Sequence, residues 1–262
     1  MKVSLFITCL TDTFYPRCGI AVVKVLEHLG CQVEFPSQQT CCGQPLYNNG
    51  YADDARALAR HMTEVFEHSD YVVTPSGSCA AMVREYYGEL LGSDPAYVRS
   101  ARDLGGKLFE FVEFLETVLK IDLRSLGARW KGHVTYHFAC HLRGLGVHPD
   151  HSAAERYLQQ VEGVRYTQLA KRDQCCGFGG TFAMKYPQIS GAMVRDKIQC
   201  IRQTGAPTVM SNDAGCTMNI SGACHRHGVG VKFIHIAELI AEALGLMGEE
   251  DGTQSRVKRK DG

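Results

Sequence analysis

Cys-Cys-Gly occurs twice in the chain, at Cys41-Cys42-Gly43 and at Cys175-Cys176-Gly177, and each copy sits inside a larger cysteine pattern that repeats as a whole. Cys9 precedes the first pair and Cys79 follows it; Cys140 precedes the second and Cys216 follows it. The surrounding residues repeat too: VSLFITC, ending at Cys9, aligns with VTYHFAC, ending at Cys140, and VVTPSGSC, ending at Cys79, with VMSNDAGC, ending at Cys216. Offsets of 131, 134 and 137 residues for the first cysteine, the pair and the last one mean two small insertions, of the kind a duplicated domain collects in its loops. A chain of 262 residues built this way is expected to divide at 1–125 and 126–247, each unit near the common domain size, with a disordered polar tail at 248–262.

Charge and composition then narrow the function classes. Lysine plus arginine equals aspartate plus glutamate at 28 each, so no overall field draws in nucleic acid or an anionic membrane. No apolar run reaches bilayer-spanning length, and the first residues lack the apolar core and cleavage site of a secretory leader. A cytoplasmic protein with no transmembrane segment is therefore expected. Thiols stay reduced there, so the 12 cysteines read as ligands or redox groups before they read as a disulfide framework.

Extended apolar runs alternate with helical spacing along the whole chain, which predicts an α/β fold: two duplicated Rossmann-like halves with largely parallel sheets and the cysteine sites in loops at strand ends. In the first half the pattern predicts strands at 3–8, 33–35 and 71–74, with helices at 19–29, 52–68, 79–91 and 108–121. In the second it predicts strands at 133–138, 164–168, 207–210 and 231–235, with helices at 152–161, 187–203, from about 216, and at 236–246.

Eight cysteines in two matching sets of four are the candidate donors: Cys9, Cys41, Cys42 and Cys79, then Cys140, Cys175, Cys176 and Cys216. Iron and zinc both accept thiolates in tetrahedral sets, so residue type alone leaves both open, zinc in one half included. Vicinal side chains diverge, which suits two irons of a cluster better than one ion, and the following glycine lets the backbone turn tightly and bring an N–H to sulfur. Cys18, Cys31, Cys200 and Cys224 have no counterparts in the repeat and read as small core residues. His137 and His141 flank Cys140 and can ligate, tune the sulfur or simply fill space. Thr8, Ser76, Ser78 and Asp213 read as hydrogen-bonding groups near the cysteines or as turn residues. Gly177-Phe178-Gly179-Gly180 lacks the spacing of a phosphate loop, and no Ser/His/Asp or paired-carboxylate arrangement stands out.

The residues Cys41-Cys42-Gly43-Gln44-Pro45, Pro75-Ser76-Gly77-Ser78-Cys79, Cys175-Cys176-Gly177-Phe178-Gly179-Gly180 and His235-Ile236-Ala237-Glu238 resemble the cysteine-rich CCG-domain family. That family includes the disulfide-reducing subunit of heterodisulfide reductase and the iron-sulfur subunit of glycolate oxidase. Within it the likeness is to the small lactate utilisation protein A family, over 1–246. The resemblance implies iron-sulfur clusters on the eight cysteines and an electron-transfer role in oxidising L-lactate to pyruvate, beside other iron-sulfur subunits and without activity alone. Two other readings stand: a catalytic cluster subunit of the heterodisulfide-reductase or glycolate-oxidase type, and a structural zinc scaffold. One departure is plain. The broader family pattern ends in C-x-x-C, whereas here the first position of that pair is Ser76 in one half and Asp213 in the other, where an Asp213 oxygen can ligate in place of sulfur.

Overall fold

The computed structural model describes residues 1–248; the tail expected beyond the second unit lies, from 249 onward, outside the described residues. β1 (Lys2–Leu5) leads into α1 (Cys9–Phe14) and α2 (Pro16–His28), and β2 (Gln32–Glu34) into α3 (Gln44–Tyr47) and α4 (Ala52–Val65). β3 (Val72–Thr74) is followed by α5 (Gly77–Ala81), a π-helical turn (Met82–Tyr86), α6 (Tyr87–Leu90) and α7 (Pro95–Lys107); β4 (Leu108–Glu110) and α8 (Phe111–Thr117) close the first half. The second half runs β5 (Arg129–Tyr136), two 3-10 turns (Cys140–Leu145 and Pro149–His151), α9 (Ala153–Gln160), β6 (Glu162–Tyr166), α10 (Phe182–Lys185) and α11 (Pro187–Thr204). It ends with β7 (Thr208–Ser211), α12 (Ala214–Arg226), β8 (Lys232–His235) and α13 (Ile236–Ala243).

Two four-stranded sheets result, ordered β2-β1-β3-β4 and β6-β5-β7-β8, and every strand pair in both is parallel. This is the α/β architecture the sequence predicts, with one strand order written twice. Parallel strands need crossovers, and the amphipathic helices supply them. In α2 the stripe Val22, Val25 and Leu26 is wholly buried, each side chain contributing about 1.5–3 kcal/mol by leaving water. Gly30, at φ 83, ends that helix as its sequence suggests.

Three local expectations need correction. The strand placed at 3–8 stops at Leu5, because Thr8 turns to φ 72 and becomes the N-cap of α1. The helix placed at 108–121 begins as a strand: Leu108 to Glu110 pair with Val72 to Thr74, and Glu110 then caps α8 in a reciprocal box with Glu113. Leucine and phenylalanine at this spacing satisfy either period, and the ladder partner 36 residues away decides. Finally α7 has no counterpart in the predicted pattern, although Asp94 caps it and Pro95 starts it, the usual marks of a helix beginning.

The halves meet through matched contacts. α13 packs on α2 and α8 on α9, while α5 meets the turn at Cys140–Leu145 as α12 meets α1. Arg17 of α2 pairs with Glu238 at 3.2 Å and Glu242 at 2.8 Å on α13. A Cβ on Gly77 would stand 2.8 Å from Leu142 Cδ2, so the first seam admits no side chain there.

Candidate metal centre

The chain exits of β1, β2 and β3, and of β5, β6 and β7, all carry candidate cysteines. The pairs Cys41-Cys42 and Cys175-Cys176 lie in loops, as expected. The other four follow strand exits too: Cys79 and Cys216 stand in the first turns of α5 and α12, where the sequence predicts helices to begin, while Cys9 opens α1 and Cys140 a 3-10 turn, two short helical pieces that the sequence pattern does not predict. In both halves the last cysteine is the third residue of its helix, and the N-cap three positions earlier is Ser76 or Asp213. The family's missing cysteine position is therefore a capping position here. Ser76 Oγ accepts from Cys79 N at 3.3 Å, and Asp213 Oδ1 from Gly215 N at 3.1 Å and Cys216 N at 3.2 Å. Asp213 Oδ2 accepts from Ser78 N at 3.0 Å and Ser76 Oγ at 3.3 Å.

Within each set the sulfurs converge. Cys9 Sγ lies 3.7 Å from Cys41 Sγ, and Cys42 Sγ 3.4 Å from Cys79 Sγ. In the second half Cys176 Sγ lies 3.4 Å from Cys216 Sγ, and the Cys140 thiol faces Cys175. The thiols share protons unequally. S–H groups of Cys42 and Cys9 hold Cys41 well below the usual thiol range, and those of Cys140 and Cys176 do the same for Cys175. Their donors are pushed up in turn: Cys9, Cys42, Cys140 and Cys176 each keep the proton that the neighbouring sulfur accepts. Each set thus offers one ready thiolate among thiols whose protons a metal would displace.

The backbone around the pairs is shaped for this. Gly43 and Gly177 hold φ 85 and 86, and a Cβ at Gly177 would stand 3.0 Å from Ser190 O. The turn points Gly177 N at Cys175 Sγ and Phe178 N at Cys176 Sγ, both at 3.4 Å, as N–H groups do toward ligating sulfur. Tyr87 Oη donates to Cys42 O at 2.9 Å and Asn219 Nδ2 to Cys176 O at 2.9 Å, so each pair is anchored from the helical segment that carries or follows the last cysteine of its set. Thr8, before Cys9, holds φ 72 and ψ 146, a strained conformation for a β-branched residue, of the kind that gathers at functional sites.

All eight cysteines line one cavity of about 210 Å³ between the halves, together with Thr8, Ser76, Ser78, His141 and Asp213. The sequence does not disclose that the two sets share a cavity. It equally hides Gln44, whose Nε2 lies 3.3 Å from Ser78 O and 3.3 Å from His141 Nε2, joining the halves at the rim. Cys18, Cys31, Cys200 and Cys224 are buried away from this cavity, in the core.

His137 lies behind the second set, fully buried, with a ring nitrogen and the sulfurs of Cys176 and Cys216 within 4.8 Å of one another. Burial, helped by the Lys197 ammonium, pushes its pKa down to about 3 against the opposing pull of Asp213 and Cys175, so the ring is neutral. Lys197 is itself fully buried and donates to Lys171 O at 2.5 Å and Arg172 O at 3.3 Å. Converging thiols, N–H groups aimed at sulfur and an unpartnered buried imidazole are a donor set that fits a thiophilic metal or an iron-sulfur cluster.

Comparison with known proteins agrees with this geometry. The model of the cysteine-rich domain family CCG matches twice, at residues 3–84 and 134–221. Lactate utilization protein A of Halalkalibacterium halodurans is 46% identical over 241 residues, covering 92% of this chain and 96% of the relative. Lactate utilization protein A of Bacillus subtilis is 45% identical over 241 residues, covering 92% and 99%. Among solved structures, a hypothetical protein from Helicobacter pylori superposes with a TM-score of 0.66 at 11% identity, over 95% of this chain and 50% of that one, a likeness of fold alone.

Proposed function

The chain belongs to the cysteine-rich CCG family, among relatives named lactate utilization protein A, and from that premise we propose that it is an iron-sulfur electron carrier in a lactate-oxidising system. In this reading Cys9, Cys41, Cys42 and Cys79 hold one centre and Cys140, Cys175, Cys176 and Cys216 the other. A bound cluster supplies reversible one-electron chemistry. The chain fixes the donors, directs Gly177 and Phe178 N–H groups at the sulfurs, and gathers both sets at one cavity in which Cys42, Cys176 and Cys216 are buried while Cys9 stays exposed. Asp213 serves as cap and clamp, its two oxygens accepting four hydrogen bonds. Other iron-sulfur subunits in the cytoplasm are the partners this reading requires, since a carrier needs a donor and an acceptor.

The observation that carries the proposal is the convergence of two four-thiol sets on a single cavity. Its test is iron and acid-labile sulfide analysis of anaerobically isolated protein. Cys42→Ser and Cys176→Ser should each remove about half of the bound iron; a variant that retains all of it contradicts the ligand assignment. The close sulfur pairs, 3.4 to 3.7 Å, favour a second reading, zinc in one or both halves, because donors around one tetrahedral ion with ~2.3 Å metal–sulfur bonds stand about that far apart. A colourless protein with stoichiometric zinc and no sulfide would establish it.

A further inference from the structure

The two halves repeat in sequence, yet their centres are not alike. Aligning Cys9 with Cys140 places Phe6 opposite His137. Phe6 is fully buried and packs on Phe66, ring centroids 5.8 Å apart, as an ordinary core residue. His137 is fully buried as well, but neither Nδ1 nor Nε2 makes a well-formed hydrogen bond, the Arg172 backbone beside the ring included. Leaving a buried polar group unsatisfied destabilises the fold, a penalty that phenylalanine avoids at the matching place. The unpartnered state also excludes the plainer role of an N–H donor to sulfur, since no sulfur lies in hydrogen-bonding position to either nitrogen.

We propose that His137 is a nitrogen ligand to the metal held by Cys176 and Cys216, so that the second centre has a mixed nitrogen and sulfur donor set and the first is all thiolate. The proposal rests on the metal-binding reading above. A nitrogen and two sulfurs lie within 4.8 Å of one another, and donors on one tetrahedral ion stand about 3.6 Å apart for metal–nitrogen and metal–sulfur bonds of ordinary length, so a shift of about 1 Å brings all three onto one ion. His141 is the natural control: it also neighbours Cys140, but its nitrogens lie 3.7 Å from Cys140 Sγ and 3.3 Å from Gln44 Nε2.

The test is pulsed electron paramagnetic resonance on reduced, full-length protein grown with natural-abundance or 15N-labelled histidine. A directly coordinated nitrogen whose coupling changes with the isotope is expected in the wild type, in C42S and in His141→Leu. It should vanish in H137F, which copies the first half's Phe6, and in C176S. Because the wild-type measurement needs no substitution, a folding defect in H137F cannot mask the answer. If the second centre holds zinc, X-ray absorption fine structure gives the same test as a nitrogen shell lost in H137F. Wild-type protein with full metal but no isotope-sensitive nitrogen, or with a signal that survives in H137F, overturns the ligand role and leaves the metal-binding reading intact. Protein without bound metal overturns both.

Discussion

Ser76 Oγ lies 3.3 Å from Asp213 Oδ2, and the two residues hold the same position in the two repeats. The contact therefore marks the local two-fold relation between the halves, where the cap of one cysteine-bearing helix touches the cap of the other. Around it Gly77 N donates to Asn212 O at 3.3 Å, and His235 Nε2 donates to Pro75 O at 3.1 Å while its Nδ1 accepts from Ala237 N. Cysteine at these two positions would give up the capping bonds and the bond between the halves together.

Asp213 accepts four hydrogen bonds and Ser76 accepts one from Cys79 N, so their removal should differ. Asp213→Ala is expected to cost about 2–3 kcal/mol and Ser76→Ala about 1 kcal/mol, with Asp213→Asn between them because its amide cannot accept from Ser78 N. Chemical denaturation of the three variants measures this. Equal losses for aspartate and serine would show that the clamp across the seam carries no weight.

Gly43 and Gly177 share a left-handed backbone, but only Gly177 has Ser190 O at 3.0 Å from the missing Cβ; at Gly43 the nearest atom, Ala55 O, is 3.4 Å away. Gly43→Ala should cost about 1–2 kcal/mol from backbone conformation alone. Gly177→Ala should cost more and lower metal retention in the second half, because the N–H groups on Cys175 and Cys176 must shift. Thermal melts and metal-to-protein ratios compare the two, and a milder Gly177 variant would refute the steric argument.

Glu110 is buried at the seam, and loss of solvation pushes its pKa up to about 8 although Val112 and Glu113 N–H groups favour the charged form. Between the ordinary carboxylate range and about 8 the folded state holds a proton that the unfolded chain has released. Its stabilising contribution is thus complete at low pH and is lost as pH rises through about 8. Glu110→Gln can keep an acceptor for the cap and carries no charge to bury, so the stability of the variant relative to wild type should grow from pH 5 to pH 8. A difference independent of pH would mean that Glu110 is ionised in the fold.

Metal uptake should release protons, since Cys9, Cys42, Cys140 and Cys176 hold theirs above the usual thiol range. Affinity for a probe such as cadmium is expected to rise with pH across the neutral range, with proton release in weakly buffered titrations. Cys41→Ser should weaken binding at every pH, because it removes the sulfur on which the negative charge of the first set collects. Binding without proton release would contradict the proton-sharing arrangement.

Much of the fold was readable because it is local. The apolar run before each first cysteine, the buried stripe of α2 and the His235–Glu238 box before α13 report their own structure. Leu108 to Glu110 did not, for helix and strand spacing coincide over so few residues and only pairing with β3 separates them. Cys79 and Cys216 fall at the helix starts the spacing predicts, whereas Ser76 and Asp213, which read from sequence as turn residues or sulfur partners, cap those helices with their side chains. His137 was a candidate beside Cys140, yet its position behind Cys176 and Cys216 depends on contacts across some 40 to 80 residues.

The amino-acid order alone determined the duplication, the parallel α/β plan and which eight thiols are the candidate ligands, because each is written in short repeated text and in periodic apolar spacing. Tertiary structure decided that both thiol sets open onto one cavity, that Ser76 and Asp213 meet between the halves, and that an unpartnered imidazole lies in one half where the other packs a phenyl ring. Such facts arise where distant segments of chain converge. Convergence is fixed by the docking of helices across the seam, which no local pattern records.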